Sequence, residues 1–284
     1  MAQKQPEKGA TEVEKTQKSV YTQTIQERGP VLPLGIADSG GNYHQDISVK
    51  PWRMKEEREL GELRDQNKDA NLAKYVSMVL STMCTRLGPH DFTNMEFDHK
   101  RLVISQMFMA DVFYAYVWLR IQALGNLFPI KFQPSWSNKE LTIEADLYST
   151  EVRIPAGYDA ACWKYELKNP LQIRGNTVKK FNLAPLRWSS IESHDAVGTS
   201  ANQGLAKLIL IIASTIGLDS VEGQVILTEA ELDEMSKLDI ERLAFLIDEN
   251  ALGPRMAVEG TYQGRAYKAP LDWGYDNFFG ISSV

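Results

Sequence analysis

Any chemistry in this chain has to come from a short run of acidic and imidazole groups, Glu96, Asp98 and His99, with Asp111 further along. A carboxylate beside an imidazole can act as a general base or hold a metal ion, provided the groups converge in a cleft with shifted pKa values. Their spacing does not put all four on one helical face. They stand at the start of an apolar-periodic run, where acidic residues are expected for capping and for the helix dipole. The four histidines, His44, His90, His99 and His194, are dispersed, and the two cysteines, Cys84 and Cys162, each lie alone in an apolar segment. No four-ligand metal set can be drawn from them. No Cys-x-x-Cys pair, His-x-x-Glu-His run, nucleophile elbow, phosphate-binding loop or dinucleotide fingerprint occurs. Gly40-Gly41 reads as a turn, because no strand and helix flank it in the order a phosphate cradle needs. Trp136, Trp163 and Trp188 form either a ligand-stacking face or, more commonly, core and cross-strand partners. The expectation is a protein that is not an enzyme, with no cofactor, no metal and no small-molecule substrate.

Composition narrows the partners. The chain has 284 residues, 43% of them apolar and 24% charged, with a formal net charge of −6. A mildly acidic balance argues against a phosphate-backbone partner, which needs a basic stripe. The first thirty residues hold no apolar block, so no leader is expected. The apolar run Leu102–Leu119 is interrupted by Gln106 and Asp111 and followed at once by Arg120. A charge at a bilayer centre costs at least about 2.5 kcal/mol, so a helix buried in a core is the better reading and no membrane insertion is expected.

The elements that must position these residues give an α+β chain: a helical N-terminal half, an antiparallel β-rich middle, and a small helical C-terminal part with extended arms. Residues 1–30 read as a flexible or partner-ordered arm, 31–128 as a turn-rich lead and helical region, 129–190 as β-rich, and 191–284 as helical with an aromatic tail. Asp46–Val49 before Pro51 is a short edge strand. Asp69 is the candidate N-cap of a helix carrying Leu72, Tyr75, Val76, Val79, Leu80 and Met83 on one face and ending at Gly88-Pro89. A second helix runs from about Asp98 to Leu124, apolar on nearly all sides, with Asp111 and Arg120 as an internal ion pair and Gly125 as its stop. Alternating residues between Phe128 and Trp188, punctuated at Asn169-Pro170 and Gly175-Asn176, predict hairpins. Gly204–Ile216 is another buried helix. Thr228 with Glu231 and Ser236 with Asp239 look like two capping starts, and the second helix stops at Gly253-Pro254. No internal repeat is evident.

The tail is the candidate interface. Trp273, Tyr275, Phe278 and Phe279 lie close to the end of the chain, and burying each ring is worth about 1.5–3 kcal/mol. Strand side chains alternate, so Phe278 and Phe279 must split between two faces. The tail is either wedged between its own core and a partner or closes its own domain.

Several stretches resemble the baseplate-hub and tail-assembly proteins of contractile-tailed bacteriophages, the T4-type baseplate family. They are GIADSGGNYHQDISVKPWRMKEERELGEL, MADVFYAYVWLRIQALGNLFPIKFQPSW, LTIEADLYSTEV, and SKLDIERLAFLIDENALGPRMAVEGTYQG followed by LDWGYDNFFGISS. The resemblance spans about Pro33 to Ser283. It implies a structural or assembly component of a contractile tail, in the virion at the baseplate or hub, with other tail or baseplate proteins as partners. A tail-assembly chaperone that leaves the particle is the alternative. Some members of this family carry Cys-x-x-Cys pairs near the positions of Gln133-Pro134-Ser135-Trp136 and Tyr262-Gln263-Gly264-Arg265. This chain has no thiolate there, so Trp136 and Tyr262 are expected to fill by packing what zinc and thiolates would fill.

Overall fold

The computed structural model describes residues 20–67, 70–193, 203–219, 221, 226–271, 274, 278 and 279. Asp69, His194, Trp273, Tyr275 and the first nineteen residues of the expected arm lie outside them. From the N-terminus come β1 (Val20–Thr24), α1 (Ile25–Arg28), β2 (Val31–Ala37), β3 (Tyr43–Val49), α2 (Met54–Gln66), α3 (Leu72–Met83), β4 (Cys84–Leu87), β5 (His90–Asp91), α4 (Phe97–Gln106) and α5 (Met109–Leu124). The hairpin β6 (Leu127–Phe132) and β7 (Leu141–Asp146) follows, then β8 (Glu151–Pro155) and α6 (Tyr158–Ala161). The rest is β9 (Trp163–Ile173), β10 (Asn176–Leu183), α7 (Trp188–Ser193), α8 (Gln203–Ser214), β11 (Thr215–Leu218), α9 (Glu229–Leu232), α10 (Lys237–Glu249), β12 (Gly253–Pro254), β13 (Ala257–Tyr262) and β14 (Arg265–Pro270). The fold is α+β, with its helices packed against several small antiparallel sheets.

Contrary to the sequence reading, the chain contains a repeat. In the pairing of β2 with β3, Val31 faces Asp46 and Ile36 faces His44, so Leu32–Gly35 stand opposite Gln45 alone. In the pairing of β9 with β10, Glu166 faces Lys180 and Leu171 faces Val178, so Leu167–Pro170 stand opposite Lys179 alone. The third strands match as well. β4 pairs Leu87, Arg86 and Cys84 with Ile47, Ser48 and Val49, skipping Thr85. β11 pairs Leu218, Gly217 and Thr215 with Phe181, Asn182 and Leu183, skipping Ile216. Each third strand follows directly on a helix of 12 residues, α3 or α8. Lys50 N donates to Met83 O at 2.9 Å, as Ala184 N donates to Ser214 O at 2.8 Å. Gly88 N donates to Asp46 O at 2.7 Å, as Asp219 N donates to Lys180 O at 3.2 Å. Each half ends in a hairpin whose following residue folds back: Leu147 N to Asn126 O at 2.8 Å and Leu271 N to Met256 O at 3.0 Å.

The strand bulges have a common cause. Pro33 and Pro170 cannot donate to a ladder, so each strand lets go of its neighbour there. The amides thereby freed must be satisfied elsewhere. In each half an aspartate in the first turn of a helix accepts two of them: Asp111 of α5 from Leu34 N and Gly35 N, Asp239 of α10 from Lys168 N and Asn169 N. Two cores result. The larger is built on α3, α5 and the β6–β7 hairpin, the smaller on β9–β11, α8 and α10.

Several expectations are corrected. Val20–Arg28 is not part of a free arm: β1 pairs with β8, and Ile25 is fully buried behind a Thr24–Glu27 capping box. The N-cap of α3 is Asn71, whose side chain accepts from Lys74 N. That helix ends at Met83, and Gly88-Pro89 turns β4 into β5. β3 is an inner strand of the order β2-β3-β4-β5, not an edge. The long helix breaks at Met107-Phe108, because Trp188 N donates to Met107 O and Met109 N to Leu186 O, both at 2.8 Å. The C-cap of α10 is Asn250, and Gly253-Pro254 is a strand on β8. The C-terminal part also carries the β13–β14 hairpin. Among the described residues no helix is long and apolar enough to cross a membrane.

Candidate functional site

The residues expected to do chemistry are not brought together. Glu96, Asp98 and His99 are exposed at the start of α4, whereas Asp111 is completely buried and committed to the amides of Leu34 and Gly35 at 2.8 and 3.1 Å. Burial pushes its carboxyl up to about 7, against the pull of those amides and of Arg28 and Arg187. Asp38 and His44 do meet, with Oδ2 and Nε2 2.8 Å apart. Asp38 also accepts from Asn42 N and Gly40 N, and the His44 bond first, then these, hold its carboxyl well below the ordinary range. That pair organises the β2–β3 turn. Among the described residues no group of three His, Cys, Asp or Glu side chains could hold a metal ion.

Asp111 and Arg120 do not form the expected ion pair. Arg120 is 6% exposed and gives its guanidinium to three backbone carbonyls: Nε to Phe278 O at 2.7 Å, Nη1 to Gly125 O at 2.7 Å and Nη2 to Leu127 O at 3.3 Å. It also lies over the Phe128 ring, 5.7 Å from its centroid. Burial pulls the guanidinium below its ordinary pKa, and the carbonyls and the ring replace the water it has lost.

Around this cation the tail is received. Phe278 stacks on Tyr116 with centroids 5.2 Å apart and meets Phe128 edge-on at 5.2 Å. Phe279 stacks on Trp52 at 4.7 Å and meets Tyr116 edge-on at 5.0 Å. These are favourable aromatic geometries, each worth about 0.5–1.5 kcal/mol beyond burial. Phe278 and Phe279 are 1% and 6% exposed, so as candidate interface residues they are corrected to core residues of their own chain. The strand argument fails for a local reason. Phe278 N donates to Gly274 O at 2.7 Å, and both rings meet the same receptor, Tyr116 touching each of them. Trp273 and Tyr275, the other two candidates, lie outside the described residues.

The expected packing of Trp136 and Tyr262 is present. The rings stack with centroids 6.3 Å apart, and Arg265 lies over Trp136 at 5.5 Å. They join the ends of the β6–β7 and β13–β14 hairpins, with Phe132 against Tyr267 at 5.2 Å behind them. Trp188 is core, its indole donating to Ser77 Oγ at 2.7 Å.

Sequence reasoning missed the receptor: Trp52, Tyr116, Arg120 and Phe128. The one available signal was a cation in an otherwise apolar helix with no acidic residue within a turn of it. The arrangement binds aromatic side chains and a backbone carbonyl, and it offers neither nucleophile nor base at an accessible position. Comparison of the chain with family models, with curated proteins and with solved structures finds no match.

Proposed function

We propose that this chain is a non-enzymatic structural or assembly component of a contractile phage tail, sited at the baseplate or its hub and acting through protein–protein interfaces. The observation that supports the reading is where the family-like stretches meet. The first supplies Trp52, the second Tyr116, Arg120 and Phe128, and the last Phe278 and Phe279, and all six pack in one cluster. Separate stretches that resemble one family between about Pro33 and Ser283 and converge on one receptor are what a shared architecture would give. The partners proposed are other tail or baseplate proteins, with no nucleic acid and no membrane insertion, and the location is the virion after synthesis in the host cytoplasm.

Mass spectrometry of purified particles tests this. The chain is expected in the particle. Its presence in infected cells with absence from particles would favour the second reading, a tail-assembly chaperone. Normal tail assembly without the gene would overturn both.

A further inference from the structure

The repeat places a second aromatic receptor in the other half of the molecule. The two halves share short signatures at equal spacing: Gly41-Asn42 with Pro51-x-Arg53 against Gly175-Asn176 with Pro185-x-Arg187, and Asp111 with Ala123-Leu124-Gly125 against Asp239 with Ala251-Leu252-Gly253. These signatures and the strand register put Leu186 where the first half has Trp52, Ala244 where it has Tyr116, Asp248 where it has Arg120, and Ser214 where it has Met83. Leu186, Ala244, Asp248 and Ser214 all line one cavity of about 230 Å³. In the first half the equivalent space is filled by Phe278 and Phe279. The second half has exchanged two large rings for Leu and Ala, and among the described residues nothing fills the space they vacate. The Ser214 hydroxyl in its wall is 1% exposed and has no hydrogen-bond partner there.

We infer that this cavity is a docking site for an aromatic side chain carried on an extended segment of a partner protein, the counterpart in trans of the Phe278-Phe279 plug held in cis. The size fits, since an apolar cavity of about 150 Å³ already takes a benzene ring. The polarity of the rim has been reversed. Arg120 donates to the carbonyl of its plug, whereas Asp248, exposed at the rim, accepts and so selects a segment presenting a backbone N–H or a cation beside the ring. Among the described residues the chain's own candidate for the site is already used: the residues that follow the first hairpin, in β8, pair with β1 and β12. The inference holds whether or not the protein serves a phage tail.

The test uses the full chain with methyl-labelled Leu, Ile, Met and Ala. N-acetyl-phenylalanine amide, N-acetyl-tyrosine amide and N-acetyl-alanine amide are titrated in turn. Saturable shifts are expected at Leu210, Ile247 and Leu252 with the two aromatic probes and none with the alanine probe. Ala244→Phe, which returns a ring to the place of Tyr116, should fold with a melting temperature at or above that of the parent and lose the shifts at least tenfold. Leu210→Phe serves as a second occluding variant. The inference is overturned by shifts of equal size with the alanine probe, by shifts that survive both variants, or by no saturable shifts at all. It is also overturned if the cavity methyls are found buried in a dimer, which would make the occupant a second copy.

Discussion

Asp111 and Asp239 are counterparts in the two halves of this chain, yet they carry their charge differently. Each lies three residues past the N-cap of its helix, Phe108 and Ser236, and each accepts two consecutive strand amides freed by a proline-bearing bulge. Asp111 has only those two donors, and burial outweighs them. Asp239 adds the hydroxyls of Tyr165 at 2.9 Å and Ser236 at 2.6 Å, and the four bonds outweigh burial, holding its carboxyl below the ordinary value. Donor count and the deeper burial of Asp111 together separate the two, at equal helix position.

The pH dependence of stability follows from that difference. The folded chain keeps on Asp111, up to about 7, a proton that the unfolded chain releases above 3.8. Stability therefore falls as pH rises from about 4 through 7 and levels off above. For Asp239 the sign reverses: its contribution is present above 3.8 and is lost as pH falls through its lowered value. Urea unfolding at pH 5 and pH 8 should show a loss of about 2–4 kcal/mol for the parent chain and a much smaller one for Asp111→Asn. An unchanged pH slope in that variant would show that Asp111 does not titrate in this range.

Replacing Arg120 by Met keeps the bulk and removes the donors. Three carbonyls, those of Gly125, Leu127 and Phe278, would then be short of a partner, at about 1–3 kcal/mol each for those that water cannot reach. A drop of about 2–4 kcal/mol in unfolding free energy is expected, with early proteolytic trimming at the C-terminus. Arg120→Lys should recover only part of the loss, since a point-charge ammonium cannot reach three carbonyls through a planar fork.

The two thiols should separate cleanly. Cys84 is 3% exposed, and burial pushes its thiol up to about 12. Cys162 is half-buried after α6. A thiol-disulfide reagent at pH 8 should modify one cysteine in the native chain, identified as Cys162 by mass spectrometry, and both in denaturant. Fast native modification of Cys84 would mean that the α3–β4 junction opens.

Much of the secondary structure was legible in the residues. Ser236 with Asp239 and Thr228 with Glu231 announced the starts of α10 and α9 through their caps. Gly175-Asn176 announced the β9–β10 turn, which falls one residue earlier, at Arg174-Gly175, where both residues take positive φ, 50° and 79°. What stayed hidden has physical reasons. The strand around Pro33 was unreadable because four residues leave the ladder and break the period of two. The repeat was masked because the first hairpin turns through a longer loop and the halves share few identities outside Gly-Asn, Pro-x-Arg and Ala-Leu-Gly. Arg120 looked like a partner for Asp111 because a sequence displays charges and not the backbone carbonyls that satisfy them. The tail aromatics were recognised as significant, but alternation along a strand was the wrong geometry for Phe278 and Phe279, which both pack on Tyr116.

The account rests most on the tail closing the first half of the molecule instead of standing free for a partner. Truncation after Asp272, followed by thermal melting and size-exclusion chromatography, tests this directly. Losing the two buried phenylalanines leaves Trp52, Tyr116 and Phe128 around a void and Arg120 without one acceptor. Large-to-small changes of this kind cost about 3–5 kcal/mol per ring, so the truncated chain should melt many degrees lower or aggregate. A truncated chain that stays monomeric and melts with the parent would contradict the account.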